Sequence, residues 1–221
     1  MPDIFDEVEE DLRAERAQAL LRRYGGLLLI AAGIAVLAVA AYQAWRWYDA
    51  KQAGRVATAY IAAMREADAA SPSANSPQSV TAAQAFLKVA GESRAGYRTL
   101  ARLRAAALLA HQGKTPEALA LWNEVVHDDA ADPLLRSLAN LLWVEHNLDH
   151  GDPSALQQRL TELETPDSPW HGLAREADAM LQLRLGKAEA ARATLKQVEA
   201  DPATPEGVRR RAAGLLVRLG G

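Results

Sequence analysis

The chain has 221 residues, a net charge of −3 and no cysteine. That length holds one sizeable domain, or one domain plus an anchor. The charge gives no electrostatic pull toward nucleic acid, and the missing thiols exclude disulfides, cysteine nucleophiles and cysteine metal sites. Alanine and leucine dominate, β-branched and aromatic residues are sparse, and glycines and prolines fall mostly between apolar stretches, so the composition predicts an all-α protein.

Residues 1–23 read as an acidic, amphipathic N-terminal tail. In PDIFDEVEEDLRAER, Ile4 or Phe5 shares a helical face with Val8 and Leu12, and the acids take the other face. Asp3 is placed to cap this helix, and early acids suit its N-terminus. Two readings fit the segment, a docking helix for a partner and a solvated tail. Its negative charge argues against adhesion to anionic lipid.

No charge interrupts YGGLLLIAAGIAVLAVAAYQAW, from Tyr24 to Trp45. Gly25 to Ala44 alone would span about 30 Å as a helix, the thickness of a bilayer's hydrocarbon core. Leu27, Leu28, Leu29, Ile30, Ile34, Val36, Leu37 and Val39 each favour insertion by roughly 0.3–0.6 kcal/mol. A buried helix of a soluble core would need protein against every face, and a chain this short has little to offer. Ala38-Val39-Ala40 has the form of a signal-peptide cleavage site. The apolar run is too long for one, however, and the start is acidic rather than basic.

The prediction is a single retained transmembrane helix over residues 24–47. Arg22, Arg23 and Tyr24 mark one interface, and Trp45, Arg46, Trp47 and Tyr48 the other. Rings that are half apolar and half wet, with cations beside them, suit headgroup depth. Arg13, Arg16, Arg22 and Arg23 before the span balance Arg46, Lys51, Arg55 and Arg65 after it, so charge alone leaves the orientation open.

Residues 48–95 read as juxtamembrane helices. Val56, Tyr60 and Met64 recur at helical spacing and carry the helix outward to about Ala69. The Pro/Ser-rich ASPSANSPQS then forms a loop near 70–79, and VTAAQAFLKVAGES a second helix ending near Gly91.

From residue 96 the chain becomes self-similar. HQGKTPEALALW, DHGDPSALQQRL and RLGKAEAARATL place Gly113, Gly151 and Gly186 at a period of roughly 35–40 residues, each between two amphipathic helices. Gly113 is followed by Ala118 and Trp122, and Gly186 by Ala191 and Leu195, while Ala106 and Ala179 precede those glycines at matching positions. This pattern resembles the tetratricopeptide repeat. There, small residues let paired helices close and a large apolar residue fills the groove beside the next pair. In the middle unit the small residue, Ala155, stands one position early. Residues 96–221 are thus expected to form a degenerate tetratricopeptide-repeat α-solenoid. TPEGVRRRAAGLLVRL would close it as a C-terminal capping helix, with Thr204 as N-cap.

The acidic tail, the span edged by WRWY and the degenerate repeats together resemble the YfgM-like family of ancillary SecYEG translocon subunits, with GYRTLARLRAAALLAHQGK matching its best-kept helix and turn. The resemblance implies a bacterial inner-membrane protein with a cytoplasmic N-terminus and a periplasmic repeat domain. It also implies protein partners: translocon subunits, periplasmic chaperones or emerging client chains. A scaffold or assembly factor of another inner-membrane complex would share these features without a Sec link.

For chemistry, the best metal candidates are His146 and His150, spaced by one helical turn beside Glu145. No HExxH accompanies them, and histidines suit a helix C-terminus, as does His111 before Gly113. No phosphate loop, dinucleotide fingerprint or nucleophile elbow occurs. The sequence therefore reads as a non-enzymatic interaction protein without a cofactor.

Overall fold

The structure, a computed structural model, describes residues 4–69 and 76–220, with side chains described from Tyr24 onward except Gly25 and Leu28. Arg22 and Arg23, the proposed cap Asp3 and the apolar face of the tail lie outside the described side chains. Among the described residues there are nine α-helices and no strand. The chain divides into two compact units, Met1–Gly54 and Arg55–Gly221.

The first unit is built from α1 (Ile4–Asp68), which also supplies the opening helical segment of the second. Every residue from 29 to 48 is exposed, and Leu29, Ile30, Ile34, Val36, Leu37 and Val39 are between 61% and 76% exposed. A helix of this kind satisfies its own backbone polar groups within itself, and by length and composition it could cross a membrane.

The second unit starts with residues 55–68 of α1, then α2 (Pro77–Glu92) and α3 (Ala95–His111). Ala63, Phe86, Val89, Ala90, Ala101 and Ala105 form their shared core. Tyr60 packs edge-on against Phe86 at 5.4 Å and lies 5.5 Å from Tyr97. The expected loop near 70–79 lies largely outside the described residues, and where the description resumes helix α2 already starts at Pro77, before the expected loop ends. Proline suits the first helical position, where its missing N–H is not needed, and the Ser76 hydroxyl accepts from the Ser79 N–H at 3.2 Å.

Six further helices follow: α4 (Thr115–Val126), α5 (Pro133–Asn147), α6 (Pro153–Leu163), α7 (His171–Arg184), α8 (Ala188–Ala200) and α9 (Glu206–Arg218). Each of α2 to α8 packs against the next helix in the chain. The backbones of α3 and α5, α5 and α7, and α7 and α9 also meet, whereas among the described residues the backbones of α4, α6 and α8 approach only those of their chain neighbours. The odd-numbered helices from α3 onward thus form one layer. The last helix starts later than expected. Pro205 is its N-cap, and the hydroxyl of Thr204 instead donates to Asp201 at 2.9 Å. Buried Thr204 fills the space beside Gly172, where a β-carbon would come within 2.7 Å of its Oγ1.

Candidate functional site

Two sets of residues carry the functional expectations: the collar at the end of the apolar run and the packing positions around the inter-helix turns. In the collar, Trp45, Trp47 and Tyr48 are all exposed, as is Tyr24 at the opposite end of the run. Tyr42 and Trp45 lie 6.4 Å apart. The Arg46 guanidinium sits 5.9 Å from the Tyr42 ring centre, and the Lys51 ammonium 4.9 Å from that of Trp47. Both are cation–π pairs one helical turn apart. Tyr42 and Lys51 join the collar through geometry, and their spacing from Arg46 and Trp47 was the available signal.

The turns at Gly113 and Gly186 are alike. Their φ values are +77° and +74°, in the left-handed region that glycine enters without a steric penalty. At the first, the Gly113 N–H donates to the Ala110 carbonyl and the Lys114 N–H to Leu109; at the second, Gly186 donates to Leu183 and Lys187 to Gln182. These paired bonds close the helix ends of α3 and α7. Ala106, Ala118, Trp122, Ala179, Ala191 and Leu195 are all fully buried.

The middle turn differs. Its connector, residues 148–152, is longer than 112–114 and 185–187, and Gly151 has no positive φ. Gly151 is required for space: a β-carbon would meet the Asn147 side chain at 2.6 Å and its carbonyl at 2.8 Å. Five and nine residues on, Leu156 and Leu160 are fully buried, while Ala155 is only partly so. Val144 fills the place held by Ala106 and Ala179 in the other units. The packing register therefore runs through the middle unit, with larger aliphatic residues at its small-residue positions.

Polar side chains pin the layers. Arg98 and Arg102 of α3 reach Asp128 at 3.0 and 3.1 Å, and Arg102 also reaches Glu124 of α4. The Arg159 guanidinium of α6 donates to Asn140 of α5 and Asn123 of α4, both at 2.7 Å, and stacks 4.0 Å over Trp143. Burial lowers its pKa from the ordinary arginine value. Across α7 and α9, Arg211 binds Glu176 at 2.5 Å, which raises the Arg211 pKa. Glu164, at the end of α6, is pushed up to about 6, mainly by burial and then by the nearby charge of Asp178.

The His146 ring packs 4.5 Å from Trp122, and its Nδ1–H donates to the Leu142 carbonyl at 2.9 Å. His150, exposed, follows in the connector. Among the described residues no three metal-ligating side chains converge, there or elsewhere. Burial raises the pKa of neighbouring Glu145, His146 lowers it and Glu176 raises it.

The fold and these surfaces define a helical protein in which, among the described residues, one helix is long and apolar enough to cross a membrane. No curated protein and no solved structure matches the chain. Residues 1–219 match the family DUF2659, described as protein of unknown function, and the chain belongs to that family.

Proposed function

We propose that this chain is a membrane-tethered protein-interaction module without enzymatic activity. It joins one transmembrane helix, residues 24–47, to a degenerate tetratricopeptide-repeat solenoid. The observation that carries the reading is the helix over residues 29–45, uncharged and exposed on every side, in the same chain as a unit of consecutively packed helices. Lipid would take that surface out of water. The like turns at Gly113 and Gly186, the buried alanines beside them and the layer of odd-numbered helices support the repeat reading. Such a layer presents side chains to a peptide or a partner helix.

The resemblance to the YfgM-like family supports a more particular assignment. The chain is an ancillary subunit of the SecYEG translocon in the bacterial inner membrane, with its N-terminus cytoplasmic and its repeats periplasmic. There it links the translocon to periplasmic chaperones or emerging chains. Tethering raises the effective concentration at a membrane partner, so modest contacts suffice. A photo-crosslinker placed at Trp45 or Tyr48 of the full chain tests the assignment. The expected adduct is with SecY. Capture of a different inner-membrane complex, and never of SecY, would contradict it and favour a scaffold outside the Sec system.

A further inference from the structure

We propose that the collar at the end of the apolar run is a site for the headgroup of an anionic phospholipid, with Arg46 and Lys51 supplying the charge. The inference rests on the reading of residues 24–47 as a membrane span. Both cations repeat one geometry. Tyr42 precedes Arg46 and Trp47 precedes Lys51 by one helical turn, and each cation lies near its ring, at 5.9 and 4.9 Å. In each pair the ring is on the side of the apolar run and the cation about 6 Å further along the helix. That order matches a bilayer interface, where aromatic rings sit at the acyl boundary and cations among the phosphates.

The pairs also occupy different sides of the helix. Tyr42, Trp45 and Arg46 share one face, and Trp47 and Lys51 another, all of them exposed. The collar therefore meets lipid around most of its circumference. Arg46 offers a planar fork of donors to phosphate oxygens and Lys51 a compact charge. A zwitterionic headgroup brings its own cation close to these groups, whereas an anionic one does not. From Arg46 to Lys51 the only acid is Asp49, while the whole chain carries −3. A preference for anionic lipid would thus come from the collar, since the chain's overall charge opposes it.

The test uses the full chain in nanodiscs of equal phosphatidylcholine and phosphatidylglycerol, released for native mass spectrometry. Phosphatidylglycerol should be retained over phosphatidylcholine by on the order of tenfold. The Arg46→Gln/Lys51→Gln double variant should lose this enrichment and still resist alkaline extraction from membranes. An Arg209→Gln/Arg210→Gln control should keep it. Equal retention by the unaltered chain, or enrichment that persists in the collar variant, would overturn the lipid site and leave the span intact. Release of the unaltered chain by alkali would overturn the span itself, and the site with it.

Discussion

Trp122 heads the side chains that the helical unit closes over completely. It packs with Ala106, Leu109, Ala118, Val125 and Ala139, so its removal leaves a void where three helices meet. Trp122→Ala should lower stability by about 3–5 kcal/mol, read as a fall in the denaturant midpoint of the full chain in detergent. Trp122→Phe should cost clearly less, because most of the volume stays. Glu164 sets a pH dependence. Its folded pKa of about 6 exceeds the ordinary glutamate value of 4.5, so the folded state binds the proton more tightly than the unfolded chain. Stability should therefore rise as pH falls from 7 to about 4.5, and be lost as pH rises through 6. The side chain is partly exposed, so screening limits the effect to on the order of 1 kcal/mol. Thermal unfolding of Glu164→Gln across that range should show a flatter profile. Asp152 and Asp201, held below the usual carboxylate range by hydrogen bonds from Ser154 and Ala203, act in the opposite direction, and only at lower pH.

At the scale of elements, the turns separate two uses of glycine. Gly186→Ala places a β-carbon in the left-handed region and should cost about 1–2 kcal/mol although nothing stands in its way. Gly151→Ala meets the Asn147 carbonyl, which is backbone and cannot swing aside. Pairing it with Asn147→Ala should rescue little, whereas a clash with the side chain alone would be fully relieved. Unfolding midpoints of the three variants decide between these. The helix pairs were legible in the sequence because their turns carry glycine at a regular period and their faces alternate at helical spacing. What escaped was the middle unit. Ala155 looked like a displaced small residue, but the longer connector keeps Leu156 in the buried register, a matter of loop length that composition does not reveal. Two helix starts also shifted, at Pro77 and Glu206, because proline is compatible with either side of a helix boundary. The Arg159 bridge was invisible, since its partners Asn123 and Asn140 lie far apart in sequence.

At the scale of the molecule, the proposed function gives the long apolar helix the task of holding position and the helical unit that of meeting partners. The long apolar helix was the most legible feature, because an uncharged run of that length stands out from any stretch around it. Partner identity was the least legible. It depends on surface chemistry that the packing pattern leaves free, so it rests on resemblance and on the crosslinking experiment. Orientation lies between the two, since four basic residues on each side of the run cancel. The central claim, a single-pass anchor with its helical unit outside the cytoplasm, is tested most directly by fusing alkaline phosphatase after Gly221 and assaying intact bacteria. The account predicts an active fusion, because that enzyme folds only where its disulfides form. A well-expressed but inactive fusion would contradict it.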